Sequence, residues 1–258
     1  MSAVLTVSNL RKAFGGVHAV DDVSFALASG ELLALIGPNG AGKSTCFNML
    51  NGQLSPDSGT IQLDGADITG LTPRQIWRRG VGRTFQITAT FGSMSVIENV
   101  QMVLLSRYRQ LNFLWRPAAG RHTDAARALL ARVGMAAQAD RPCGILAYGD
   151  LKRVELAIAL AHRPKLLLMD EPTAGMAPQE RLDLMELTRQ LVREQGVSVL
   201  FTEHDMDVVF GHADRVLVLN RGRLIAEGPP AAVRADPAVQ EVYLGSGAMY
   251  GSKAGAPA

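Results

Sequence analysis

Gly37-Pro-Asn-Gly-Ala-Gly-Lys43-Ser44-Thr45 follows the spacing G-x-x-x-x-G-K-[ST], and its two flanks decide how it is read. Leu32 to Ile36, just before it, is an unbroken apolar run, as a parallel strand covered on both faces requires. Cys46-Phe-Asn-Met-Leu50, just after it, suits a helix whose N-terminus lies at Gly42 to Ser44. Strand, glycine turn and helix start in that order predict a concave anion site. Unpaired backbone N–H groups of the turn and the positive end of the helix face the same point. Pro38, Asn39, Gly40, Ala41 and Thr45 belong to that cradle. Lys43 is placed to reach the β- and γ-phosphates of a bound triphosphate, and Ser44 to offer a hydroxyl to Mg²⁺. A glycine-rich turn bearing a surface lysine is the competing reading, and the flanking strand and helix weigh against it. The expectation is a chain that binds a nucleoside triphosphate.

Composition bounds the rest. The 258 residues fit a single α/β domain, alone or with one inserted lobe. At 47% hydrophobic and 19% charged, the chain has apolar material enough for a sizeable core. A net charge of +2 gives no electrostatic argument for nucleic acid as a partner. Cys46 and Cys143 are too few for a disulfide framework, and Cys46, just inside the helix after the loop, reads as a packing residue. No basic stretch followed by an apolar core opens the chain, and no uncharged apolar run approaches the roughly 20 residues of a spanning helix. A cytoplasmic chain that meets a membrane only through a partner is expected.

Leu5 to Val7, Val23 to Leu27 and Thr60 to Leu63 alternate as half-buried strands do, which predicts an antiparallel layer beside the nucleotide strand. Thr72-Pro73 opens a short helix that Gly80 can end, and Ser95-Val-Ile-Glu98 reads as a capping box before Asn99 to Leu105. Another helix over Thr123 to Val133 stops at Gly134, after an irregular connection from Leu111 to Gly120. Residues from about 88 to 160 thus read as a mostly helical lobe inserted into the α/β core. Leu166 to Met169 and Val199 to Phe201 are two more core parallel strands. Val216 to Leu219, the turn Asn220-Arg-Gly222 and Arg223 to Ala226 predict an exposed-edge hairpin. The tail from Ser246 to Ala258, rich in Gly, Ala and Ser, is expected to be disordered.

Asp170 and Glu171 end the Leu166 strand at its C-terminal side, where α/β sheets bind ligands. Asp170 suits a hold on Mg²⁺ or one of its waters, and Glu171 could polarise the water that attacks a γ-phosphate. The plainer alternative is a pair of acids serving the start of the next helix, since Pro172 follows. His204 ends another core strand in Phe201-Thr-Glu-His204-Asp205. That place sets it apart from His18, His122, His162 and His212 as a contact for the γ-phosphate. Gln86, in Gly82-Arg-Thr-Phe-Gln86, joins the core to the helical lobe; by its chemistry alone it is a polar loop residue.

Aromatic residue, phosphate loop, glutamine loop, signature, acidic pair and histidine follow one another in the order of the ATP-binding-cassette family, which the chain resembles to about Gly245. The resemblance implies an α/β fold in one nucleotide-binding domain, residues 1–245. Its parts would be a P-loop NTPase core with a parallel sheet, an antiparallel β subdomain and an inserted α-helical subdomain. ATP and Mg²⁺ are the implied cofactors. Phe14 matches the aromatic that stacks on adenine, with a core phenylalanine as the alternative. Gln86 matches the residue that touches Mg²⁺ and the attacking water and passes motion to the helical lobe. Gln86, Glu171 and His204 are then the implied catalytic set, and Ser44, Gln86 and Asp170 the implied metal set.

Leu146-Ala147-Tyr148-Gly149-Asp150 occupies the signature, normally Leu-Ser-Gly-Gly-Gln, ahead of a helix read from Leu151 to His162. In the family this segment faces the γ-phosphate bound to the other subunit, and Gly149 with the helix start retains the donors for that role. Ala147 lacks the serine hydroxyl. Asp150 puts a charge where an amide is usual, so it is expected to point away or cap the helix. Met176-Ala177 departs from the usual aspartate after the acidic pair, which weakens cross-subunit coupling there.

Leu-Ala-Tyr-Gly, Glu-Pro-Thr-Ala-Gly, Thr-Glu-His-Asp-Met-Asp and the ending Glu227-Gly-Pro through Val242-Tyr-Leu-Gly245 look like the ATPases of branched-chain amino-acid importers. Importers of urea, amides and other small acids carry similar ATPases. The implied assembly is a second ABC ATPase subunit, identical or a sister chain, and two membrane-spanning permease subunits, at the cytoplasmic face of the inner membrane. A solute-binding protein joins indirectly, and no nucleic acid is involved. The permease is expected to seat a short helix near Gln86 and Phe91 to Val96. Three other classes share the loop: a soluble small-molecule kinase, a cassette protein acting on DNA or ribosomes, and a binding-only regulator.

Overall fold

The computed structural model describes residues 2–84, 90–108 and 120–244. β1 (Ala3–Phe14) and β2 (Val17–Ala28) make a long antiparallel hairpin. With β4 (Ser58–Leu63) and β5 (Ala66–Asp67) they form a sheet in the order β2-β1-β4-β5. A second sheet takes β3 (Leu32–Ile36), β6 (Val81–Thr84), β7 (Leu166–Asp170), β8 (Ser198–Thr202), β9 (Arg215–Asn220) and β10 (Arg223–Gly228). Its order is β10-β9-β3-β8-β7-β6, parallel throughout except where β10 pairs β9. The helices are α1 (Lys43–Leu50), α2 (Pro73–Arg78), α3 (Val96–Arg107), α4 (Thr123–Arg132), α5 (Tyr148–Ala161), α6 (Pro178–Gln195), α7 (Met206–His212), α8 (Pro230–Ala235) and α9 (Pro237–Leu244).

β3 separates two cores. Leu33 and Leu35 on one face share a cluster with Phe47 and Met49 of α1 and with Val7 and Leu27 of the first sheet. Leu32, Ala34 and Ile36 on the other share one with residues of α3, α5, α6 and α7. All five are buried, and each leucine or isoleucine so placed contributes roughly 1.5–3 kcal/mol. Strands that are covered on both faces lose the alternation of half-buried ones, which is why this segment reads as a continuous apolar run. The expected antiparallel layer is present, and α1 lies in the core between it and the parallel sheet.

Local signals place several helix starts. Ser95 and Glu98 form the expected reciprocal box at the head of α3: Glu98 N–H donates to Ser95 Oγ, and Ser95 N–H to Glu98 Oε2 at 2.8 Å. At the head of α2 the Thr72 N–H and hydroxyl donate to Gln75 Oε1 at 2.9 and 2.8 Å, and Pro73 takes the first position. α3, α4 and α5 pack on one another and fall in the chain between β6 and β7.

The structure corrects three expectations. β9 is no edge strand: Val216 to Leu219 are fully buried, because β9 pairs β3 in parallel on one side and β10 on the other, so that of the hairpin β10 alone forms that edge of the sheet. The helix after the signature begins at Tyr148, not Leu151. Ala147 is extended (φ −62°, ψ 154°) and acts as N-cap, so Tyr148, Gly149 and Asp150 form the first turn, where glycine and aspartate are tolerated. Finally, β5, β6, α6, α7, α8 and α9 form where the sequence reading set no element bounds; all but the 18-residue α6 are short. Gln86, residues 111–119 of the irregular connection and the 246–258 tail lie outside the described residues.

Candidate nucleotide site

β3, β8 and β7 are neighbours and run parallel, so their C-terminal turns meet along one edge of the sheet. Those turns carry the glycine loop, His204 and Glu171 respectively. Phe14, Ala19, Asn39 to Thr45, Glu171 and His204 line one cavity of about 330 Å³. Gly37 lies behind it, against Leu219 of β9, and Pro38 opens toward a neighbouring cavity walled by α9. Gly42, at φ 105°, precedes α1, and a Cβ there would collide with the carbonyl oxygen of Ala19. Only glycine lets the backbone approach so closely while its amides face the cavity. Phe14 stands half exposed at the end of β1, on the rim.

Lys43 is buried and donates to the carbonyl oxygens of Gly37 at 2.7 Å and Pro38 at 3.2 Å. Burial pushes its ammonium pKa down, and the nearby Glu171 and Asp170 carboxylates pull it back up. The cation is thus caged in the loop, with the acids of β7 as its counter-charge. Cys46 packs in the core as expected, and burial raises its thiol to about 12, which makes it inert.

Glu171 has a left-handed backbone (φ 48°), an uncommon state for a residue with a side chain. Its N–H donates to the Thr202 carbonyl at 3.2 Å and to Thr202 Oγ1 at 3.1 Å, which fixes the turn against β8. The turn aims the carboxylate at His204, whose Nε2 lies 2.9 Å from Glu171 Oε1. Asp170 faces elsewhere: Thr202 Oγ1 donates to it at 2.8 Å, and Arg83 of β6 bonds it at 3.2 Å. The same guanidinium reaches Asn48 of α1 and Gln53, so β6, β7 and α1 are tied beneath the cavity. Burial lowers the Arg83 pKa while Asp170 raises it.

Among the described residues no cluster of three His, Cys, Asp or Glu side chains could cage a metal. The nearest donors, the Ser44 hydroxyl in the cavity wall and the Asp170 carboxylate behind Glu171, engaged by Thr202 and Arg83, are few, hard oxygens. That suits Mg²⁺, which keeps waters and borrows phosphate oxygens.

The signature lies apart from this cavity. Gly149 is buried against α6: a Cβ there would stand 2.9 Å from Glu180 Oε1, whose other oxygen accepts the Ala177 N–H at 3.2 Å. Tyr148 and Ile145 beside it are exposed, and Asp150 occupies the first turn of α5. One chain therefore gathers Phe14, the loop, Glu171 and His204, and holds Leu146 to Asp150 on another surface.

Arg83, Thr202 and Glu203 escaped the sequence reading. All three adjoin residues singled out above, and Glu203 carried the one available signal: an acid at the end of a buried strand, next to a chosen histidine.

The family model described as "ABC transporter" matches residues 20–174, and the one described as "Branched-chain amino acid ATP-binding cassette transporter" matches residues 223–248, which take in β10, α8 and α9. The high-affinity branched-chain amino acid transport ATP-binding protein LivG of Salmonella typhimurium is 40% identical over 252 residues, covering 94% of this chain and 98% of that protein. BraF of Pseudomonas aeruginosa, which bears the same description, is 40% identical over 250 residues, with 94% and 98% covered. Among solved structures, MJ1267, an ATP-binding cassette of an ABC transporter in its ADP conformation, matches with a TM-score of 0.85 at 32% identity, covering 95% of this chain and 100% of that one. With site and sequence in agreement, the chain belongs to the ABC transporter family, as one of its ATP-hydrolysing cassettes.

Proposed function

We propose that the chain drives the uptake of branched-chain amino acids or related small solutes, from the cytoplasmic face of the inner membrane. The names of LivG and BraF support the solute class. Among the described residues no helix is long and apolar enough to cross a membrane. In this reading separate permease subunits form the path for the solute. The observation that carries the proposal is the convergence of Lys43, Glu171 and His204 on one cavity floored by the glycine loop.

In this reading the amides of Gly37 to Thr45 and the start of α1 hold the phosphates, Lys43 leaves its carbonyl partners for them, and Phe14 stacks on adenine. Mg²⁺ would be held by Ser44 and Asp170, with Gln86 the third residue the family resemblance implies, and would supply charge to neutralise the phosphates. Glu171 orients and polarises the attacking water, and His204 donates to the γ-phosphate. The second cassette, a copy or sister chain, presents its own Leu146 to Asp150 to the cavity, which closes head to tail. The permease helix expected near Gln86 and Phe91 to Val96 we assign instead to a largely apolar hollow of about 370 Å³ between α2, β6, α3 and α5, lined by Pro73, Ile76, Trp77, Val103 and Ile158. A solute-binding protein acts one step further away, outside the membrane.

Glu171→Gln tests the assignment. The variant should bind ATP as tightly as the parent and accumulate as a nucleotide-loaded dimer, while its turnover falls by about a hundredfold or more. Light scattering and phosphate release report the two effects. Hydrolysis at the parental rate would remove Glu171 from its role.

A further inference from the structure

Glu203 is a charged residue in an unusual place. It follows β8 directly, is only 3% exposed, and lies one residue before His204. Its Oε1 accepts both donors of Thr173, the backbone N–H at 2.8 Å and the hydroxyl at 2.7 Å. Its Oε2 accepts the His204 N–H at 3.2 Å. Thr173, itself buried, is two residues beyond Glu171 in the turn that leaves β7. One carboxylate therefore links the backbones of the two turns that carry the hydrolytic pair.

The turn after β7 needs such an anchor. Glu171 is held at φ 48°, and a side-chain-bearing residue stays there only when its surroundings over-determine it. Thr202 fixes its N–H from one side. Farther along, Arg181 donates to the Met176 carbonyl and to Asp205, both at 2.8 Å, and so ties the far end of the same turn to the segment after His204. Between these two fastenings, Glu203 is the buried link at the middle of the turn.

We propose that Glu203 is a positioning residue for hydrolysis: by bridging Thr173 to His204 it sets the spacing between the Glu171 carboxylate and the His204 ring. It is buried and does not line the cavity. The inference rests on the roles assigned above to Glu171 and His204. A displacement of about 1 Å in such a pair is worth up to about a hundredfold in rate, so a bond length lost beneath it registers in turnover. Glutamine cannot replace the carboxylate, because three N–H or O–H groups donate to the two oxygens. Its single oxygen leaves the NH₂ group facing a donor on one side or the other.

Steady-state phosphate release and fluorescent-nucleotide binding, run on the purified full chain with MgATP, give the test. Glu203→Gln should lower kcat about tenfold with KM and nucleotide affinity within about twofold of the parent. Thr173→Val should do the same, while Thr173→Ser, which keeps the hydroxyl, should turn over like the parent. The threonine pair decides the matter if Glu203→Gln fails to fold. Parental turnover in Glu203→Gln or Thr173→Val overturns the inference, as does equal loss in Thr173→Ser and Thr173→Val, or a fall in nucleotide affinity as large as that in kcat. Glu171→Gln is measured alongside. If it is inactive while Glu203→Gln is unaffected, only the positioning role fails; if it hydrolyses ATP at the parental rate, the assignment of Glu171 fails and takes this inference with it.

Discussion

Two helices of this chain begin beside a glycine, and they begin differently. α1 follows Gly42 inside a cavity that also holds Lys43, Glu171 and His204. α5 follows Ala147 on another surface, with exposed Tyr148 at its head and Gly149 backed onto Glu180. Both offer unpaired backbone amides and a positive dipole end. The first sets its buried cation, Lys43, in the cavity wall with the acids of β7 to counter it, whereas the buried Lys152 of α5 is spent on Glu155 of its own helix at 3.3 Å, so the first is the better equipped to hold a polyphosphate by itself. The second is half a site, suited to a phosphate delivered by another molecule. In the proposed assembly, that difference would assign binding to one chain and closing to two.

The contrast can be broken at either helix. Removing the cation should have the largest effect: Lys43→Ala is expected to lower turnover by more than about a hundredfold and to weaken nucleotide binding to the single chain. Gly149→Ala should come next and behave differently. The added Cβ points at the end of the Glu180 side chain, which can give way, so the fold survives, but the start of α5 and the amides it offers to a second chain's phosphate are displaced. Turnover should drop about tenfold while binding to the monomer is untouched. Equal loss of monomer affinity in both variants would abolish the distinction between the helices. The smallest effect is expected for Asp150→Gln, which removes a like charge from the α5 start. A gain of about 0.5 kcal/mol, roughly twofold in turnover at low salt and less at high salt, would sharpen the comparison. No change, or a loss, would mean that Asp150 faces away from the arriving phosphate.

What the sequence disclosed follows the range of the interactions involved. The strand, loop and helix from Leu32 to Leu50 were legible because every residue needed for the anion cradle is contiguous, and each type is demanded by backbone geometry or charge. The helix start at Thr72-Pro73 and the box at Ser95 were legible for the same reason. The start of α5 was misplaced because glycine and aspartate resemble a loop wherever the dipole of a helix start is not yet known. β9 looked like an edge because its partner β3 lies about 180 residues earlier, and a hairpin signal says nothing of the other side. The web of Arg83, Thr202, Glu203 and Thr173 was invisible for a related cause. Arg83 meets Asp170 across 87 positions and Thr173 meets Glu203 across 30, and no local pattern announces such bonds.

The double burial of β3 bears on how the protein fails under heat. Because that strand is a wall common to both cores, its amides cannot exchange with solvent until each core has opened. Surface turns and the outermost strand β10 can fray earlier without disturbing it. The phosphate cradle, hung from the end of β3, should therefore be among the last features to melt. Loss of nucleotide binding on warming would then coincide with global denaturation and not precede it.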